Sequence, residues 1–309
     1  MEKPKHIHIV KQDNFQWINV TKNTAREINW LKKNFKFHDL DLKDCLPPNQ
    51  RPKLAEHEDH LFMILLFPVY NRKTREIKTV EVDFFISQNY LVIVHDGQLP
   101  PIREFFTEFQ KRAKAKDFDQ EHDPSGLLYE TLNRLFDYCF PMLIHISNDI
   151  EKIGSQVFTK HGLKLIYEVA LIKKNIVSFR KAMQAHKTII RKLVETSSRF
   201  FPNIKLDLYF KNLIEQTKEI WDLLENDRDT INALYESQTS ISSYRLNRII
   251  KTLTIISVVF MPINLLAFLF GMETPHPLTG NPYGFWIVGG IMSMVGLVMI
   301  IGFKKKGWW

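Results

Sequence analysis

TLTIISVVFMPINLLAFLF (252–270) and GFWIVGGIMSMVGLVMIIGF (284–303) contain no charged side chain, and how they are read decides the fold. At about 1.5 Å rise per residue, helices of 19 and 20 residues reach roughly 28–30 Å, the thickness of a hydrocarbon core. Each stretch therefore spans a bilayer once. Arg245, Arg248 and Lys251 precede the first, and Lys304, Lys305 and Lys306 follow the second; the positive-inside rule puts both flanks in the cytoplasm. The connecting loop, 271–283, has neither Lys nor Arg and faces outward. Trp286, Trp308, Trp309 and Tyr283 fall near the expected interfaces, where amphipathic rings concentrate.

Everything before the first span is then expected to be cytoplasmic, and it is long enough for one or two domains with a core. The opening MEKPKHIHIV lacks an apolar run of signal-peptide length, so secretion is not expected. Residues 14–20 alternate weakly as a strand. Residues 60–70, 76–87 and 89–97 are β-rich runs that should form a meander, and Thr24 should cap a helix reaching Lys36. The segment starting PPIREFF carries Ile102, Phe105, Phe106 and Phe109 at helical spacing, as expected of a helix packed on the sheet. From Asp123 the strands stop. A helix kinked at Pro141, a second from about Leu163 to Thr196, and a third starting near Asn203 are expected; with no strong breaker before Met261, the third should run into the membrane as a rod of more than fifty residues. The parts are 1–122, an α/β domain; 123–251, a long-helix bundle and stalk; 252–270, the first span; 271–283, the outward loop; 284–303, the second span; and 304–309, a basic tail.

The net charge is +8, but its Lys and Arg are scattered along helices or clustered beside the membrane, a pattern matched by anionic headgroups and giving no reason to invoke nucleic acid. Cys45 and Cys139 lack metal-ligand or redox spacing and read as buried thiols. No Walker, GxGxxG, GxSxG, HExxH or EF-hand pattern is present, so no enzyme is expected. The histidines at 6, 8, 38, 57, 60 and 95 read as ordinary surface or core residues. EHEDH (56–60) has the composition of a metal site, but alternation along a strand would split its side chains between two faces.

Helical spacing gathers Asn247, Ile250, Thr254, Ser257, Met261, Asn264 and Phe268 on one face of the first span. An amide as deep in the bilayer as Asn264 is costly unless it meets a polar partner or a water-filled path. Conduction or a single interhelical hydrogen bond would both satisfy it. Pro262 is tolerable at that depth if neighbours satisfy the freed carbonyl.

The run 252–273, the tail GFKKKGWW, DLKDCLPPNQRPKLAEHEDHLFMILLF (41–67) and DPSGLLYETLNRLFDYCF (123–140) resemble the CorA family of divalent-cation transporters over nearly the whole chain. Met261–Pro262, Gly271–Met272 and the terminal basic-aromatic tail are the most specific matches. The resemblance implies a funnel-shaped homopentamer: an α+β cytoplasmic domain built as an α/β/α sandwich on a mainly antiparallel sheet, a stalk helix continuing into a pore-lining first span, and an outer ring of second spans. Gly271, Met272 and residue 273 would form the outer mouth. Members carry Gly-Met-Asn there, whereas this chain has Glu273. Neutral amides can hold Mg2+ through its waters without trapping it; carboxylates attract cations more strongly, repel one another and can coordinate directly. Mg2+ influx is the leading expectation, with Zn2+, Co2+ or Ni2+ open as cargo and His276 a possible further ligand. Phe268 stands where members usually have glycine, a turn before the mouth. The resemblance also assigns Asp44 and Glu236 to a regulatory divalent-ion site between subunits, with Lys43 replacing an acidic neighbour. A non-conducting, membrane-anchored sensor or scaffold on the same fold is the rival reading.

Overall fold

The structure is a computed structural model describing residues 3–12, 15–48, 50–115, 123–157, 163–200, 204–272, 278 and 280–308, the side chains of 163, 197–200 and 204–207 excepted. The chain forms two compact units, Met1–Tyr235 and Glu236–Trp309.

The first unit is built on a six-stranded sheet: β1 (Ile7–Lys11), β2 (Gln16–Val20), β3 (Lys53–Glu56), β4 (Leu61–Asn71), β5 (Glu76–Ile86) and β6 (Tyr90–His95), in the order β1-β2-β6-β5-β4-β3. β2 and β6 run parallel; every other neighbouring pair is antiparallel. The expected meander is β4-β5-β6. Helices cover both faces of its strands, so their inward and outward residues are both apolar, and the sequence shows continuous runs instead of clean alternation. Pro68 lies within β4 beyond Ile64, the last residue that β3 pairs with, where a proline without an N–H is tolerated on the unpaired side of the strand.

One face is covered by α1 (Ala25–Asn34) and α2 (Asp39–Asp44), whose Ile28, Leu31 and Leu42 share a core with Ile18, Val20, Phe62, Phe85 and Val92. Thr24 caps α1 in an extended conformation and pairs with Glu27 through its hydroxyl; the helix ends at Asn34, short of Lys36. The opposite face carries α3 (Pro100–Ala115). The expected stripe is buried, and Trp17 packs against Phe105, Phe106 and Phe109 at ring separations of 5.0, 5.0 and 5.2 Å. The α/β/α sandwich is thus present.

Two expected helix boundaries shift. The kink assigned to Pro141 is a break at Tyr138, between α4 (Pro124–Asp137) and α5 (Cys139–Val157). Pro141 occupies the first turn of α5, where its missing N–H has no intrahelical partner to lose. The helix expected from Leu163 to Thr196 is α6 (Leu163–Met183) followed by α7 (His186–Phe200). Asn175 of α6 accepts from Ile77 N–H at 2.8 Å and donates to Arg75 O at 2.8 Å, tying that helix to the β4–β5 turn. Arg75, at φ 58°, closes the turn and grips Glu168 through two 2.8 Å hydrogen bonds. Cys45 and Cys139 are buried free thiols.

α8 (Ile204–Gly271) is the long rod, 68 residues in length. Within the first unit it buries Phe210, Leu213, Ile220, Leu224 and Ile231 along one stripe. The second unit holds its remaining turns and α9 (Gly284–Lys305), the two helices apolar and long enough to cross a membrane. They run antiparallel: Lys251 Nζ, beside the start of the first span, donates to Gly307 O at 3.4 Å, just past the end of the second.

Candidate functional site

Which face of α8 meets α9 decides which face is left for anything else. Ile255 and Val259 are buried and Pro262, Ile263, Leu266 and Phe270 half-buried; these share one side at a repeat of 3.6 residues. On α9 the covered side is Gly284, Val288, Met292, Val295, Gly296, Met299 and Phe303. Gly296 permits the close approach, since a Cβ there would lie 3.2 Å from Ile263 Cδ1.

Asn247, Ile250, Thr254, Ser257, Met261, Asn264 and Phe268 are all exposed, and at about 100° per residue those from Ile250 onward lie on the side of α8 opposite α9, while Asn247 lines a hollow with Ile255 and Trp308. Met261 and Phe268 are each 76% exposed. Thr254 donates its hydroxyl to Ile250 O at 2.9 Å. α8 continues through Pro262, whose ring leaves the Val258 carbonyl without its helical donor on a membrane helix. Gly271 ends the helix and Met272 follows it, both exposed. Glu273 and His276 lie outside the described residues.

Asp44 ends α2. Its Oδ2 accepts from Lys53 Nζ at 2.7 Å, and the same ammonium reaches Asp41 Oδ1 at 3.2 Å. Nearby Glu81 accepts from Gln50 N–H, while Asp83 is buried beside Cys45. Burial, then the neighbouring Glu81 carboxylate, holds the Asp83 pKa well above the usual carboxylate range. Carboxylate oxygens are the hard donors that Mg2+ takes, so Asp44 suits such an ion. Any ion there must share or displace Lys53. Glu236 is exposed on α8, in the second unit. Lys53 escaped sequence reasoning because nothing in RPKLAE marks a lysine that the β3 strand swings back over α2.

An α+β unit, a very long helix and an antiparallel two-span hairpin with a polar uncovered face define a membrane transport protein. The chain belongs to the CorA-like Mg2+ transporter protein family, whose pattern it matches over residues 12–305. It is 25% identical over 297 residues to the cobalt/magnesium transport protein CorA of Thermotoga maritima, covering 94% of this chain and 83% of that one. It is 26% identical over 293 residues to the putative metal ion transporter YfjQ of Bacillus subtilis, covering 94% and 89%. Its fold matches the complete structure of the CorA magnesium transporter from Methanocaldococcus jannaschii with a TM-score of 0.85 at 20% identity, over 97% of this chain and 94% of that one. The family consists of transporters, not enzymes.

Proposed function

We propose that this chain passes divalent metal cations across a cell membrane, most directly Mg2+ inward, as a homopentamer in which five copies of the uncovered α8 face line one path. The observation that carries the reading is that face: α9 covers the apolar side of the first span, and the side bearing Thr254, Ser257 and Asn264 is exposed, uncovered by any of the described residues. A ring of such faces gives each amide and hydroxyl a water-filled neighbour, which removes the cost of an unpartnered polar group in lipid. For a divalent ion the membrane field is worth about 4.6 kcal/mol per 100 mV, so inward movement requires no nucleotide site.

Both termini lie in the cytoplasm in this arrangement, with 1–122 and 123–251 as the intracellular domain and stalk and 271–283 outside. Gly271, Met272 and Glu273 form the mouth. A ring of Glu273 carboxylates admits direct coordination, which extends the cargo to Zn2+, Co2+ or Ni2+. Asp44 and Glu236 act between neighbouring subunits: unpaired at low ion concentration they repel and loosen the contact, and a bound divalent ion closes it. Relatives named for magnesium and cobalt transport support the cargo class.

Proteoliposome uptake of Mg2+, Zn2+, Co2+ and Ni2+, comparing the natural chain with Glu273→Asn, tests the mouth. A shift in the rank order of ions is expected on substitution. An unchanged rank order would remove Glu273 from selectivity.

A further inference from the structure

The turn between β3 and β4 places two imidazoles where strand alternation would have kept them apart. β3 ends at Glu56, which pairs with Leu61, and the loop His57–His60 is closed by a hydrogen bond from His57 N–H to His60 O at 3.0 Å. The two rings stack with centroids 4.6 Å apart and planes 19° from parallel. Asp41, one turn before the end of α2, reaches the same place: its Oδ2 is 2.6 Å from His57 Nε2. The three possible ligand atoms, one each from Asp41, His57 and His60, lie within 4.8 Å of one another.

His60 is the telling member. It is 1% exposed, its Nδ1 sits 2.6 Å from Asp59 Oδ1, and its Nε2 is buried with no hydrogen-bond partner. With the carboxylate accepting at Nδ1, the proton resides there and the buried Nε2 keeps a bare lone pair. A buried acceptor left unmet costs about 1–3 kcal/mol and calls for an occupant. The Asp41–His57 hydrogen bond alone accounts for His57 and leaves His60 unexplained. A carboxylate holding the far nitrogen of an imidazole is also the arrangement that orients a metal-ligating histidine.

We propose that Asp41, His57 and His60 form a cytoplasmic binding site for a borderline transition-metal ion of the Zn2+, Co2+ or Ni2+ class, with Asp59 positioning His60. Two imidazole nitrogens and one carboxylate oxygen are the donors these ions prefer and Mg2+ does not. Ligands at about 2.0–2.2 Å from a tetrahedral ion stand roughly 3.3–3.6 Å apart. Side-chain rotations must therefore open the 2.6 Å Asp41–His57 contact, the ion taking the place of that hydrogen bond, while the atoms as a set already lie within 4.8 Å. Lys53 holds Asp41 by Oδ1 and leaves Oδ2 for the ion. His57, with 26% of its side chain exposed, gives the ion a route in, and a fourth position stays open to water or to a group from outside the site. The site stands whether or not the chain conducts.

Full-length protein in detergent, stripped with chelator and then titrated with Co2+ in a large excess of Mg2+, tests it. One Co2+ per chain is expected, with visible d–d bands of a low-coordinate nitrogen–oxygen set that Zn2+ displaces. His57→Gln and Asp41→Asn should each weaken binding by about tenfold or more. Asp59→Asn, at an exposed residue, should weaken it roughly 10- to 100-fold without abolishing the bands. Absence of stoichiometric Co2+ binding, or bands that survive His57→Gln and His60→Gln at unchanged affinity in correctly assembled protein, would overturn the assignment. Affinity unmoved by Asp59→Asn would remove its positioning role. Because the readout is binding and not flux, its failure and a failure of transport are distinguishable.

Discussion

Gly296 of α9 faces Ile263 of α8 so closely that a methyl group on it would lie 3.2 Å from Ile263 Cδ1. That contact fixes which side of the first span is spent on the hairpin. Gly296→Val should wedge the helices apart, lowering the thermal stability of the detergent-solubilised oligomer and its flux together. Gly289→Ala, where a Cβ meets nothing within 4 Å in the chain, is the contrasting variant and should be milder in both measurements.

Lys53 competes with any cation for Asp44. Removing the ammonium in Lys53→Met leaves Asp41 and Asp44 without their common partner and should shift Mg2+-dependent protection from protease to lower Mg2+. Neutralising Asp44 and Glu236 together should weaken that dependence. A Mg2+ response unchanged in the double variant would reject their regulatory role.

His186 is wholly buried, with its ring 5.0 Å from Phe67 and 5.6 Å from Phe136. Burial pushes its pKa down to about 3. A depressed histidine pKa means that the unfolded chain binds the proton more tightly than the folded one. The stabilisation is full above about pH 6.5 and is lost as pH falls toward 3. His95, buried and bonded to Asn19 Oδ1 at 2.9 Å, is depressed to about 4 and acts in the same direction. His186→Phe should therefore flatten the fall in melting temperature between pH 6.5 and 4, read by circular dichroism on the full chain. An equally steep fall would assign acid sensitivity to other groups.

Trp17 anchors α3 to the sheet. Trp17→Ala removes a fully buried ring that touches three phenylalanines and should cost about 3–5 kcal/mol, seen as loss of the first unit's cooperative unfolding transition.

Much of this fold was legible because its strongest signals are long and one-dimensional. The two spans, the unbroken run into Met261, the meander and the stripe Ile102–Phe109 all appear as the sequence indicated. β1 and β3 were not read, being short edge strands of only five and four residues. Tyr138 and Gln184–Ala185 break helices where apolar periodicity hardly changes, so periodicity ran through them. The polar face of α8 was readable by counting, because helix geometry alone sets it. The strand alternation expected across EHEDH does not hold: β3 ends at Glu56, and a turn of four residues brings His57 and His60 to one side. Asp41 and Asp44 share a side of α2 by their spacing of three, but Lys53 comes to them through tertiary packing, which no local pattern records.

The most direct measurement is voltage-driven Mg2+ uptake into proteoliposomes by the natural chain and by Asn264→Leu, with pentameric assembly verified for both. The natural chain should carry Mg2+ at a rate that rises with inside-negative potential, and Asn264→Leu should reduce it by about tenfold or more. Assembled protein that passes none of Mg2+, Zn2+, Co2+ or Ni2+, or flux indifferent to Asn264→Leu, would contradict a path lined by this face of α8.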